Sequence, residues 1–218
     1  MLMFQKVVIG DAERGLVYKN RRFDYVLAPG VYRLKSFINS LEVNVHNITG
    51  VEYIGKDVET LVVRLGDRLS DTFRLADIGT KEVGLLVKNG KLEDVLAPGS
   101  RKLYWKGHVA LDVQRVSLVE GIQMDEDVMR RLRQRGVLER YAVAVNVPTE
   151  SVGLLFVDGK LSRAMQPGAY AFWNFQKNVS AEIMDLRVQS VEVSGQELLT
   201  KDKVSLRVNL AASVRVID

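Results

Sequence analysis

The sequence predicts a mainly β (α+β) protein: three tandem modules of about 69 residues joined by short helices. Three observations carry this. The pentapeptide VLAPG occurs at 26–30 and again at 95–99, so its prolines lie 69 residues apart. At that shift, Phe4–Leu34 and Phe73–Leu103 agree at 14 of 31 positions without a gap. A second shift of the same size lands on TESVGLLFVDGKLSRAMQPG, where 10 of 31 positions match the middle copy. The modules are accordingly bounded at 1–71, 72–140 and 141–218.

Within a copy, two apolar runs flank a two-residue turn. Asn89-Gly90 and Asp158-Gly159 are strong hairpin signals, because both central residues must take positive φ. The first copy has Asn20-Arg21 there, which predicts a looser turn or one of another type. Next come Pro29-Gly30, Pro98-Gly99 and Pro167-Gly168, which suit type II turns: proline fixes φ at the first central residue and glycine accepts positive φ at the second. Gly15, Gly84 and Gly153 sit inside strand patterns, marking a bulge or a close approach. Only proline and glycine survive from VLAPG into the third copy, as expected if the backbone alone makes the demand.

Two helices are predicted between the β units. Asp57–Leu65 ends at Gly66; Asp125–Arg135 has an acidic first turn, basic residues toward its end, and stops at Gly136. Beyond residue 180 the pattern is again β. Val204, Leu206, Val208 and Leu210 alternate with polar residues after a turn at 200–203. The chain stops in this strand pattern, and the expectation is an N-terminal fragment of a longer protein.

Composition narrows the classes. The 218 residues are 47% hydrophobic and 27% charged, with a net charge of +4, ordinary values for a globular chain. Cysteine is absent, which removes disulfides, thiolate metal sites and a cysteine nucleophile. No apolar run approaches the roughly 18 residues of a membrane helix, and MLMFQKVVIG lacks a signal-peptide pattern. The expected location is the cytoplasm.

The search for chemistry finds little. His46 and His108 have no companions at metal-ligand spacing and read as structural or surface residues. GLLVKNGK (84–91) and GLLFVDGK (153–160) superficially resemble a phosphate loop. However, five residues separate the glycines where four are needed, and Leu replaces the magnesium-binding Ser or Thr. No catalytic residue, metal or cofactor is expected. The one local charge cluster is Arg130, Arg131, Arg133, Arg135 and Arg140, a candidate contact for an anionic surface or a solvated helix face. No aromatics interleave with these arginines, so nucleic acid is not expected. Trp105 and Trp173 follow the Pro-Gly turns, as hairpin packing or as membrane-edge anchors.

The run from Met184 to Asp218 resembles the start of the SPFH, or Band 7, domain of stomatins, prohibitins and slipins. The resemblance rests on Asp185-Leu186-Arg187, Gln196-Glu197, Thr200-Lys201-Asp202 and Arg215–Asp218, in that order. VGLLFVDGKLSRAMQPGAYAFW is similar to the strand pair that enters that domain. The whole chain looks like the N-terminal part of a bacterial slipin-type protein carrying two extra copies of the entry unit. The resemblance implies a non-enzymatic, membrane-associated scaffold that forms homo-oligomeric rings or cages, beside a membrane protease or an NfeD-type partner. The alternative is a lipid- or protein-binding adaptor that uses the basic helix and exposed aromatics.

Overall fold

The computed structural model describes residues 2–37, 40–107 and 109–217. In the first copy the strands are β1 (Leu2–Ile9), β2 (Glu13–Lys19), β3 (Arg22–Leu27), β4 (Gly30–Phe37) and β5 (Leu41–Asn47). β1 pairs antiparallel with β4, and β2 lies between β3 and β5. The arrangement recurs with β6 (Phe73–Asp77), β7 (Glu82–Lys88), β8 (Lys91–Leu96), β9 (Arg101–Trp105) and β10 (Leu111–Ser117). It recurs again with β11 (Ala142–Val147), β12 (Ser151–Val157), β13 (Lys160–Met165), β14 (Gly168–Trp173) and β15 (Val179–Asp185). A final hairpin joins β16 (Gln189–Leu199) to β17 (Ser205–Val214). By contacts the chain divides into two compact units, Met1–Gly121 and Ile122–Asp218.

Each copy has its own small core between its strand pair and its three-stranded sheet. Val7, Ile9, Val17 and Leu27 fill it in the first copy. Ala76, Ile78, Leu86 and Leu96 hold the same places in the second, and Val145, Val147, Leu155 and Met165 in the third. The glycines explain why the strands pack so closely. A Cβ on Gly84 would lie 2.6 Å from Ile78 Cδ1, and one on Gly153 would lie 2.7 Å from Val147 Cγ2. These positions are therefore close approaches. The bulges fall two residues later, between Val17 and Tyr18, Leu86 and Val87, and Leu155 and Phe156.

Two turn expectations need correction. Asn20 and Arg21 take φ of 51° and 63°, matching Asn89-Gly90 (49° and 76°) and Asp158-Gly159 (52° and 76°). The first hairpin is thus the same double left-handed turn, since strand twist and the shared bulge dictate it even where Arg21 stands for glycine. Conversely, only the middle Pro-Gly element is a type II turn: Gly99 has φ 71°, and Ser100 N–H donates to Ala97 O at 3.1 Å. Gly30 and Gly168 take φ 154° and open β4 and β14 directly. There the phenols of Tyr32 and Tyr170 donate to the carbonyls of Ala28 (2.9 Å) and Gln166 (3.0 Å). Those acceptors correspond to Ala97, so a side chain replaces the backbone donor that closes the turn.

In the unit Met1–Gly121 a linker helix joins two copies. α1 (Val58–Leu65) has Asp57 at its N-cap and Gly66 beyond its last turn at φ 50°. A 3₁₀ turn (66–68) and the short helix α2 (Leu69–Thr72) lead into β6. Leu61, Leu65 and Leu69 are buried between Leu16 and Phe23 of the first sheet and Phe73, Leu103 and Trp105 of the second copy's strand pair. This apolar stripe on α1 provides the burial that fixes the helix in place. Glu52 bridges to Tyr104, and the backbone of Tyr53 donates to Leu103 O at 2.8 Å.

In the unit Ile122–Asp218 an equivalent segment leads into the third copy. Met124 N–H donates to Ala171 O, and α3 (Glu126–Gln134) is capped by Asp125, whose carboxylate accepts from the N–H groups of Asp127 and Val128. Gly136 follows α3 at φ 68°, and α4 (Leu138–Tyr141) runs directly into β11. The turn at 200–203 closes through Lys203 N–H on Thr200 O, with Val204 N–H on Thr200 Oγ1.

Candidate interaction surfaces

Among the described residues no group of three or more His, Asp or Glu side chains is placed to hold a metal ion. A cavity of about 310 Å³ is lined by Asp11, Ala12, Ile48, Thr49, Val51 and Gly107. A second, about 320 Å³, lies beside α2 with Ser70, Arg74 and Lys106 on its wall. Neither brings a nucleophile to a base: Ser70 Oγ donates to the carbonyl of Asp67, and Arg74 pairs with Asp112 at 2.9 Å. His46 packs against Tyr53 and Trp105, with ring centroids 5.3 and 5.7 Å apart, and burial lowers its pKa. His108 lies outside the described residues.

All five arginines of the basic segment are exposed. Met129 and Leu132 point α3 into the core. At 100° per residue, Arg130 and Arg133 therefore fall on one flank of that stripe and Arg131 and Arg135 on the other. Arg130 pairs with Asp127, Arg133 reaches Met129 Sδ at 3.7 Å, and Arg140 lies on α4 with its guanidinium 5.3 Å from the Tyr141 ring centre.

The aromatics after the turns are not exposed, which corrects the adaptor alternative. Trp105 and Trp173 are each 2% exposed. The strand that follows each Pro-Gly element pairs with the first strand of its copy. One aromatic then turns into the module core (Tyr104, Phe172) and the next turns outward under the linker (Trp105). None is left to anchor at a membrane edge.

Two surfaces are open. The first is a strand pair. On β1 and β4, Phe4 faces Lys35, Lys6 faces Arg33, and Val8 faces Val31. All six residues are exposed, and Lys35 Nζ lies 5.6 Å from the Phe4 ring centre. Periodicity gave no hint of it, because the three cations come from strands far apart in sequence and only the antiparallel register collects them. The second is one face of the last hairpin. Val191 pairs with Ala212, Val193 with Leu210, and Leu198 with Leu206, and these side chains share one side of the ribbon. Val193 is 42% exposed and Leu210 60%. A two-stranded ribbon with an uncovered apolar face is marginal by itself.

Between β15 and this hairpin, the Asp185-Leu186-Arg187 segment forms a clamp. Arg187 Nε donates to both oxygens of Asp185 at 3.0 Å, and the Arg187 N–H donates to Oδ1 at 2.9 Å. These bonds lower the Asp185 pKa to about 2. Comparison with known families places this geometry: the SPFH domain / Band 7 family matches residues 145–218. The match covers 74 of the 218 residues. No curated protein and no solved structure matches the chain. The SPFH segment begins inside β11, so it takes in nearly all strands of the third copy together with the clamp and the hairpin. The turn residues Asp158, Gly159, Pro167 and Gly168 lie within it, whereas Asn89, Gly90, Pro29, Gly30, Pro98 and Gly99 lie in earlier copies. The basic segment 130–140 precedes it. No helix among the described residues is long and apolar enough to cross a membrane.

Proposed function

We propose that this chain is part of a non-enzymatic, membrane-associated scaffold of the slipin type that assembles into homo-oligomers, with three related modules in series. The observation that carries the reading is the SPFH segment at residues 145–218, whose strand order also recurs in the two preceding copies. The family is in general one of membrane-associated scaffolds. Like modules in series suit assembly, because each presents similar faces and edges to a neighbour. The open apolar face of β16 and β17 adds support, since such a ribbon gains stability only when covered. A membrane protease or an NfeD-type protein fits the reading as a partner, and attachment at the inner membrane as a location.

Size-exclusion chromatography with light scattering tests assembly. The expected mass of the full-length protein is that of several copies; a full-length protein that stays monomeric across the micromolar range overturns the scaffold reading. Flotation with anionic vesicles tests membrane association separately.

A further inference from the structure

The outward face of β1 and β4 differs from its counterpart in the second copy at the positions that make a joint. By strand register, Phe4, Lys6, Arg33 and Lys35 stand where the second copy has Phe73, Leu75, Leu103 and Trp105. In the second copy those residues line the core under α1: Phe73, Leu103 and Trp105 are buried, and Leu75 packs against them. The first copy keeps the phenylalanine and replaces the other three with cations. Phe4 (60%), Val8 (58%) and Val31 (64%) stand exposed among them.

An uncovered repeat face needs polar groups for solubility. That need would be met by mixed charges and would not leave three large apolar side chains exposed. This face instead holds three cations and no carboxylate, with the Lys6–Arg33 pair at its centre and Phe4, Val8 and Val31 toward its two ends. Among the described residues no carboxylate pairs with Lys6 or Arg33, so their charge is available to a partner. An exposed strand-pair face with a basic centre and protruding apolar groups toward both ends matches an anionic lipid surface. Apolar groups enter the headgroup boundary while cations meet phosphate. We infer that the Phe4–Lys6–Val8 and Val31–Arg33–Lys35 face is the surface by which this chain meets anionic lipid. The inference rests on the membrane-associated reading above and assigns it a site outside the SPFH segment.

The test is flotation of the full chain with phosphatidylcholine vesicles, with and without phosphatidylglycerol. The wild type should float only with the anionic vesicles, and less as salt rises. Each near-surface cation contributes about fivefold to partition, so Lys6→Glu/Arg33→Glu/Lys35→Glu should lower it at least on the order of 100-fold. Arg130→Glu/Arg131→Glu/Arg133→Glu should leave it within about threefold. Urea unfolding midpoints check that the variants fold; should the glutamates unfold the module, the three glutamine substitutions serve, with a smaller loss. Phe4→Ser/Val31→Ser should also weaken binding. Equal flotation of wild type and face variants overturns the inference and leaves the membrane-associated reading standing. No flotation of the wild type removes both. Capture of the wild type by polyglutamate without vesicle binding, lost in the face variant, assigns the face to an acidic protein and overturns the lipid assignment.

Discussion

The phenol of Tyr18 donates to Oδ2 of Asp57 at 2.5 Å, and Oδ1 of the same carboxylate accepts from Tyr53, also at 2.5 Å. Tyr18 lies on β2, Tyr53 on the linker, and Asp57 at the start of α1, so one carboxylate ties a sheet to the helix that covers it. With both oxygens engaged, Asp57 makes no side-chain bond to the helix it precedes. Asp57→Ala leaves one buried phenol, Tyr53, and one half-buried phenol, Tyr18, without their acceptor. It should lower the stability of the first unit by roughly 3 kcal/mol in urea denaturation. A change below the error of the midpoint would show that water replaces the carboxylate at no cost.

His46 makes this joint sensitive to acid. Burial against Tyr53 and Trp105 lowers its pKa below the ordinary 6.5, while the charge of Asp57 opposes the shift. The unfolded chain therefore takes up the proton first. The contribution of His46 to stability is present above pH ~6.5 and is lost as pH falls through the lower folded value. The urea midpoint should drop between pH ~7.5 and ~5.5, and His46→Gln should flatten that drop. Identical slopes in both proteins would place the acid sensitivity elsewhere.

Gly84 has no room for a side chain, with Ile78 Cδ1 at 2.6 Å and Leu96 Cβ at 3.1 Å from the position of a Cβ. Gly84→Ala should cost about 1–3 kcal/mol by overpacking, read as a lower melting temperature. Gly50→Ala is the control: a Cβ there meets nothing within 4 Å.

Arg21 occupies a left-handed position that glycine fills in the other two copies. Arg21→Gly should raise stability by about 1 kcal/mol, because it removes the clash of Cβ with the following carbonyl. Destabilisation would mean that the Arg21 side chain makes a compensating contact in solution.

Much of this fold was legible in the sequence because glycine and proline make demands that only the backbone sets. Gly84, Asn89-Gly90 and Pro98-Gly99 fix a strand, a hairpin and a turn in one copy, and their spacing exposes the other two. The helix bounds were legible for the same kind of reason: Asp125 caps α3 and Gly136 ends it. What could not be read is what depends on partners far along the chain. Arg21 follows the strand twist against its own preference, and Tyr32 or Tyr170 substitutes for a backbone donor. Trp105 reads from sequence as hairpin packing or a membrane-edge anchor, and its place in the joint under α1 shows only in the structure. The basic face exists only once Lys6 is known to face Arg33.

The middle Pro-Gly turn has a consequence for how the copies can drift in length. Tyr104 and Trp105 follow Gly99 by five and six residues, whereas Phe172 and Trp173 follow Gly168 by four and five. Yet Tyr104 and Phe172 both turn inward, and Trp105 and Trp173 both stand opposite the first residue of their partner strand. The type II turn takes up the extra residue within Ala97–Ser100, ahead of β9. This solvated corner acts as an expansion gap: a one-residue insertion there leaves the phase of the strand, and with it the helix joint, untouched.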